Sequence, residues 1–136
     1  MKNRKIKVRV WSKPLERFLT KDEWFLDFDG DLHFIEYDED SNQYWPDRVP
    51  EENYVVQQYT GLKDSKGKEI YEGDIVKYHR GFESEKEIRE LTSHIKFQDA
   101  AFGFDMKGFN DMFMSLENDS YIEVIGNIFE NPELLK

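Results

Sequence analysis

The sequence contains no cysteine. That removes disulfides, thiolate metal sites and cysteine nucleophiles from consideration at once. It also lacks any apolar run near the ~18 residues that would span a bilayer. The N-terminal MKNRKIKVRVW is basic but has no apolar segment of the kind a secretory signal needs, so a cytoplasmic protein without a membrane anchor is expected. Proline is scarce, with four residues in 136. No G-x-S-x-G, phosphate-binding loop or dinucleotide fingerprint is present. Internal repeats and low-complexity tracts are missing as well.

What is present is aromatic and charged. Aromatic residues make up 15% of the chain and charged residues 35%. Eleven Phe, seven Tyr and three Trp supply a core that a disordered chain of similar charge would lack. The length suits one domain or two small subdomains with a shared core.

The net charge is −10 and unevenly spread. Lys2, Arg4, Lys5, Lys7, Arg9, Lys13, Arg17 and Lys21 crowd the first 21 residues, against Glu16 alone. Residues 22–53 carry twelve acids and only Arg48 as a base. One reading is a basic arm for nucleic acid. The plainer one is compensation between neighbouring strands, because an acidic body repels phosphates.

The patterning is that of strands. In KIKVRVW, Ile6, Val8 and Val10 alternate with basic residues, as one apolar strand face requires. Pro14 interrupts the pattern, and Leu15–Phe18 reads as a short return. Trp24–Phe28 and Asp31–Tyr37 flank Asp29-Gly30, which predicts a two-residue type I′ hairpin. Residues 38–53 hold two prolines and many turn formers and predict a long acidic loop. Within it, Tyr44, Trp45 and Pro46 suit a plug on the core edge; with Arg48 they also form the best local set for stacking on single-stranded nucleic acid.

Tyr54–Tyr59 predicts a strand punctuated by Gly61. Asp64-Ser65-Lys66-Gly67 predicts a hairpin loop with positive φ at Gly67. Glu69–Tyr71, a turn at Glu72-Gly73-Asp74, and Ile75–Tyr78 follow. Residues 79–94 admit a charged helix over EKEIRELTSH, and an exposed loop or arm leading into His94–Phe97 is the preferred reading. Phe102–Met106, an irregular strand within Gly108–Leu116, and Tyr121–Ile128 complete the set. Gly126 there predicts a bulge or a close backbone approach, and Pro132–Leu135 one helical turn. Eight to ten short strands with almost no helix predict an all-β sandwich or barrel.

YTGLKDSKGKEIYEGDIV (residues 59–76) and IEVIGNIFENPELL (residues 122–135) together resemble the YopX family, small proteins encoded by temperate phages and prophages of Gram-positive bacteria. Arg9-Val10-Trp11 is a weaker match to that family's opening R-A-W, with Val10 for Ala and Ser12 for Asp. The resemblance implies an all-β fold whose C-terminal part is similar to an SH3-like barrel, and the expected division is into two fused β subdomains, residues 1–54 and 55–136. The resemblance implies no established activity, so it transfers no catalytic, cofactor or ligand residue. The same residues have a structural reading. Gly61, Gly67 and Gly73 serve turns, Asp64 and Asp74 bond nearby backbone, and Ile70, Ile75, Val76, Ile122, Val124 and Ile128 make a core.

Candidate chemistry is thin. Asp27, Asp29 and Asp31 suggest a calcium loop. However, the sixth position is Leu32 instead of Gly, the twelfth is Asp38, and the flanks alternate as strands, so a hairpin is the better reading. His33, His79 and His94 have no metal-binding spacing. No catalytic, metal or cofactor site is expected. The expected function is a non-enzymatic protein-binding or adaptor module, in which self-association as a homo-oligomer is one form. Its surface is expected in the loops at 38–53 and 79–94. The alternative is a nucleic-acid-binding accessory protein that uses the N-terminal arm, which the net charge disfavours.

Overall fold

The computed structural model describes residues 3, 5–80, 89–107, 110–117 and 121–136. Among them the chain is all-β, with thirteen strands, two short 3₁₀ turns and no α-helix. Among the described residues no helix is long and apolar enough to cross a membrane. The chain divides into two compact units, Arg9–Val56, and Met1–Val8 with Gln57–Lys136.

In the first unit, β1 (Val8–Ser12) pairs with β2 (Arg17–Phe18), with Trp11 opposite Phe18. A three-stranded sheet follows in the order β3 (Trp24–Leu26), β4 (Leu32–Asp38), β5 (Gln43–Arg48). A 3₁₀ turn over Glu51–Asn53 then leads into β6 (Tyr54–Lys63). Val10, Leu19, Leu32 and Val49 form the core, flanked by Trp24, Leu26, Phe34, Tyr54 and Val56. Each fully buried aliphatic side chain contributes roughly 1.5–3 kcal/mol. The apolar alternation expected of β1 fails at Ile6, which lies before the strand and is exposed.

Two expectations are corrected here. The hairpin at Asp29-Gly30 is not a two-residue turn, because the ladder closes at Leu26 opposite Leu32 and leaves residues 27–31 as the loop. Only Gly30 there has positive φ, where a type I′ turn needs two such residues. Asp27 sets this loop: its Oδ1 accepts the N–H groups of Asp29 and Asp31 at 2.9 and 3.0 Å. Residues 38–53 are not one long loop either. They contain β5, paired with β4 from Asp38–Gln43 to His33–Arg48. Pro46 is tolerated because β5 is an edge strand among the described residues, where a missing N–H interrupts no described outer ladder.

In the second unit, β6 pairs with β7 (Glu69–Tyr71) across a register shift that contains Gly61 at φ 88°. β8 (Asp74–Arg80) is central between β9 (Arg89–His94) and β13 (Ile122–Asn127). Another sheet has the order β10 (Lys96–Gln98), β11 (Ala101–Met106), β12 (Met112–Ser115). A 3₁₀ turn over Pro132–Leu135 ends the chain. The core is Ile70, Val76, Tyr78, Ile95, Phe104, Ile122 and Val124, flanked by Leu62, Leu91, Met106 and Leu116. These ladders are compatible with the expected SH3-like arrangement.

The predicted bulge at Gly126 is present, as a register shift between Val124 and Gly126. So is the close approach: a Cβ there would stand 2.7 Å from Asn131 Oδ1 and 2.9 Å from Leu134 Cδ1. Neither the preferred loop or arm nor the helical alternative for 79–94 holds where it is described: residues 79–80 end β8 and Arg89–His94 is β9, paired with it; residues 81–88 lie outside the described set. The strand count exceeds the eight to ten expected. β5 was hidden by its turn-like composition, and the run 94–97 is split at Ile95.

Candidate interaction surface

The sheet β10-β11-β12 has one apolar face. Antiparallel partners share a face, and Phe97 lies opposite Phe102, Met114 opposite Phe104, and Met112 opposite Met106. Phe104 at its centre is buried and packs on Tyr78 with ring centroids 4.8 Å apart. The two edges stay open: Phe97 is 57% exposed, Met112 57% and Met114 41%. Phe97 and Phe102 meet at 5.1 Å. The result is an apolar band covered in its middle and exposed along both rims.

The opposite face is polar and locked. Lys96 Nζ meets Asp105 Oδ2 at 2.8 Å and lies 5.7 Å from the centre of the Phe113 ring. That ring sits over Gly103, where a Cβ would clash with Phe113 Cζ and the Met114 carbonyl. The glycine lets β11 and β12 close despite the phenylalanine. Of the two faces, only the apolar one presents uncovered hydrophobic side chains.

β12 is an edge strand among the described residues. Leu116 N–H donates to Phe102 O at 2.8 Å. Bonding alternates along an antiparallel ladder, so Met112, Met114 and Leu116 bond inward to β11. Phe113 and Ser115 then turn their N–H and C=O groups toward the open side. The acids Asp111 and Glu117 bracket the strand, and the segment 110–117 holds no base.

The groups singled out in the sequence are placed elsewhere. Asp27 Oδ2 meets His33 Nε2 at 2.9 Å, and that contact, with the two backbone donors, holds the Asp27 carboxyl below its ordinary range. Phe25 stacks on the His33 ring at 4.9 Å. Asp31 meets Arg48 Nη2 at 3.2 Å. Among the described residues no group of three or more His, Asp or Glu side chains is placed to hold a metal ion. His94 lies in the second unit, where burial and the Lys96 charge hold its imidazole below its ordinary value. Tyr44 and Trp45 occupy successive positions of β5, opposite Tyr37 and Glu36, so they belong to a strand and not to a loop. An open depression is lined by Arg48, Val49, Pro50 and Glu51.

The basic N-terminal segment is partly engaged within the fold. Lys7 Nζ contacts both Glu69 carboxylate oxygens at 2.7 and 2.8 Å, which lowers the Glu69 carboxyl and raises the Lys7 amine. The Arg9 guanidinium lies 4.7 Å from the centre of the Phe18 ring. Arg17 forms a two-pronged pair with Glu23 at 2.7 and 3.0 Å. Lys66 meets Glu123 at 2.8 Å, and Lys77 lies 3.6 Å from Glu90 and 3.8 Å from Glu123.

The exposed rim was not legible in the sequence. GFNDMFMSL looks like core, and only the Met112–Met114 spacing hints that one strand face carries both methionines.

A sequence profile for YopX protein matches residues 7–136. The crystal structure of protein EF1440 from Enterococcus faecalis is similar with a TM-score of 0.63 and 29% identity, over 98% of this chain and 100% of that one. Protein yopX from Bacillus subtilis is similar with a TM-score of 0.62 and 26% identity, over 95% of each chain. No curated protein matches.

Proposed function

The chain belongs to the YopX family, and from that premise we propose that it is a phage- or prophage-encoded, non-enzymatic module that acts by binding another protein through the rim of the β10-β11-β12 sheet. The observation that carries this reading is the exposure of Phe97, Met112 and Met114 around a buried Phe104. Uncovered apolar side chains grouped at one sheet mark contact surfaces. Methionine suits such a surface, because its unbranched, polarizable side chain adapts to a partner's shape. The sequence net charge of −10 keeps a protein with such a rim dispersed. The Asp27–His33 pair, which has the residue types of an acid–base couple, is taken up in setting its own loop. Nucleic-acid binding by the N-terminal arm has less support, because Lys7 and Arg17 are held by carboxylates. A cytoplasmic location suits a chain without cysteine.

The test is site-specific photo-crosslinking in the native cell. A photoreactive residue at position 114 is expected to give discrete covalent adducts that one at exposed Glu133 does not. Absence of adducts at 114, or the same adducts from both positions, overturns the reading. Adducts with a second copy of this chain would identify the partner as itself.

A further inference from the structure

We infer that the partner of β12 is an extended segment that adds to the sheet as a fourth strand, with apolar residues at alternate positions and a Lys or Arg at each end. This rests on the protein-binding reading above and names the chemistry of the partner. The first support is the backbone. Phe113 and Ser115 direct two N–H and two C=O groups to a side where no described strand pairs. A strand is the element that satisfies such a row, whereas a helix has no free backbone groups to offer along its length.

The second support is the side chains. Met112 and Met114 share a face, so an added strand would lay every second residue against them. The third is charge. Asp111, in the turn before β12, and Glu117, just after it, stand at opposite ends of the strand. They bracket an uncharged run, so the matching segment carries a cation at each end.

The same charges disfavour a second copy of β12. An antiparallel pairing centred on Met114, with Phe113 opposite Ser115 of the other copy, places Asp111 of each copy opposite Glu117 of the other. It does so at both ends, and like charges there repel. The partner segment is therefore foreign and basic.

The probe is a pair of labelled heptapeptides, Lys-Val-Thr-Val-Thr-Val-Lys and the same sequence with Glu at both ends. Affinity is read by fluorescence anisotropy and the contact by amide exchange. The lysine peptide is expected to bind about ten-fold more tightly at low salt, as two exposed ion pairs and the loss of two repulsions allow. The advantage should shrink as salt rises. The Phe113 and Ser115 amides should become protected.

Two variants sharpen the test. Ser115→Pro removes an outward donor while leaving the inward bonds to β11 in place, and should abolish peptide binding. Asp111→Lys with Glu117→Lys should invert the peptide preference, and does not depend on Ser115→Pro folding. Equal affinity for the two peptides, no binding of either, or full binding by Ser115→Pro overturns the inference. Position 114 would still cross-link its partner in that case if the broader reading holds. Loss of the cross-link marks failure of that reading instead.

Discussion

The Oδ2 of Asp64 accepts the backbone N–H of Val124 at 2.9 Å, tying a hairpin loop to a strand sixty positions away. Its Oδ1 accepts the N–H groups of Lys66 and Lys68 at 2.9 and 2.8 Å. Burial pushes this carboxyl upward, but the three backbone donors outweigh it and hold it below its ordinary value. One side chain thus closes the 64–68 loop and anchors β13. Asp64→Ala leaves all three donors without their carboxylate and should cost about 3 kcal/mol. Asp64→Asn keeps one carbonyl oxygen, enough for the loop or for Val124 but not both, and should cost less. Urea midpoints check this, with an unchanged slope showing that only stability moved.

The glycines should separate into two classes. Gly30 has φ 88°, and a methyl added there would meet nothing within 4 Å, so Gly30→Ala should cost only the strain of that backbone, about 1–2 kcal/mol. Gly103→Ala drives a methyl into the Met114 carbonyl and the Phe113 ring, and a carbonyl inside a ladder cannot step aside. It should destabilise more than Gly30→Ala and also loosen β12, because both obstacles belong to that strand. Thermal melts rank the two variants. Faster amide exchange in Met112 and Met114 locates the damage.

These positions also show how far the sequence can be read. Asp64 and Gly67 were legible because the turn they make is local: Gly67 has φ 82° and its N–H reaches Asp64 O at 3.0 Å. Gly126 was legible because a glycine inside a strand needs a reason. The break at Ile95 was not legible. Residues 89–98 alternate as one strand would, yet Ile95 N–H is claimed by Asp74 O and its carbonyl by Gly73 N–H, both at 2.8 Å. β5 was hidden because Pro46 and the acids look like loop, and only the sheet order shows that β5 is an edge strand among the described residues. The rim at Met112 and Met114 was hidden for a related reason, since which part of an apolar strand face is covered depends on packing distant in sequence.

Calcium should leave the protein unchanged. Although Asp27, Asp29 and Asp31 are spaced like cation ligands, Asp27 has both oxygens engaged, Oδ1 by two backbone donors and Oδ2 by His33. A cation would have to displace these contacts. Millimolar calcium and a chelator should therefore give the same melting midpoint. Asp27→Ala should lower the midpoint by the same modest amount in either condition, because the backbone donors of Asp29 and Asp31 lose their acceptor. A rise in the midpoint with calcium that Asp27→Ala removes would show that the loop holds the ion.

Acid should weaken the fold in two stages. The imidazole of His94 is held below its ordinary 6.5, first by burial and then by the Lys96 charge. The unfolded chain takes up that proton more readily than the native one, so stability falls as pH drops below about 6.5. Glu23 contributes to the lower stage. Its carboxylate receives the Arg17 guanidinium at 2.7 and 3.0 Å and the Thr20 N–H at 2.6 Å. Its pKa accordingly falls from 4.5 to about 2. The sign is the same, because again the unfolded state binds the proton first. The contribution is complete above about 4.5 and is lost as pH falls toward about 2. Because the pair is exposed, solvent and salt screen it, and its share is modest. His94→Gln should flatten the upper stage alone, and Glu23→Gln the lower one alone. Urea midpoints measured across the acid range separate the two. A lower stage that survives Glu23→Gln at full size would assign the acid sensitivity to the other depressed carboxylates, Asp27, Asp64, Glu69 and Glu123.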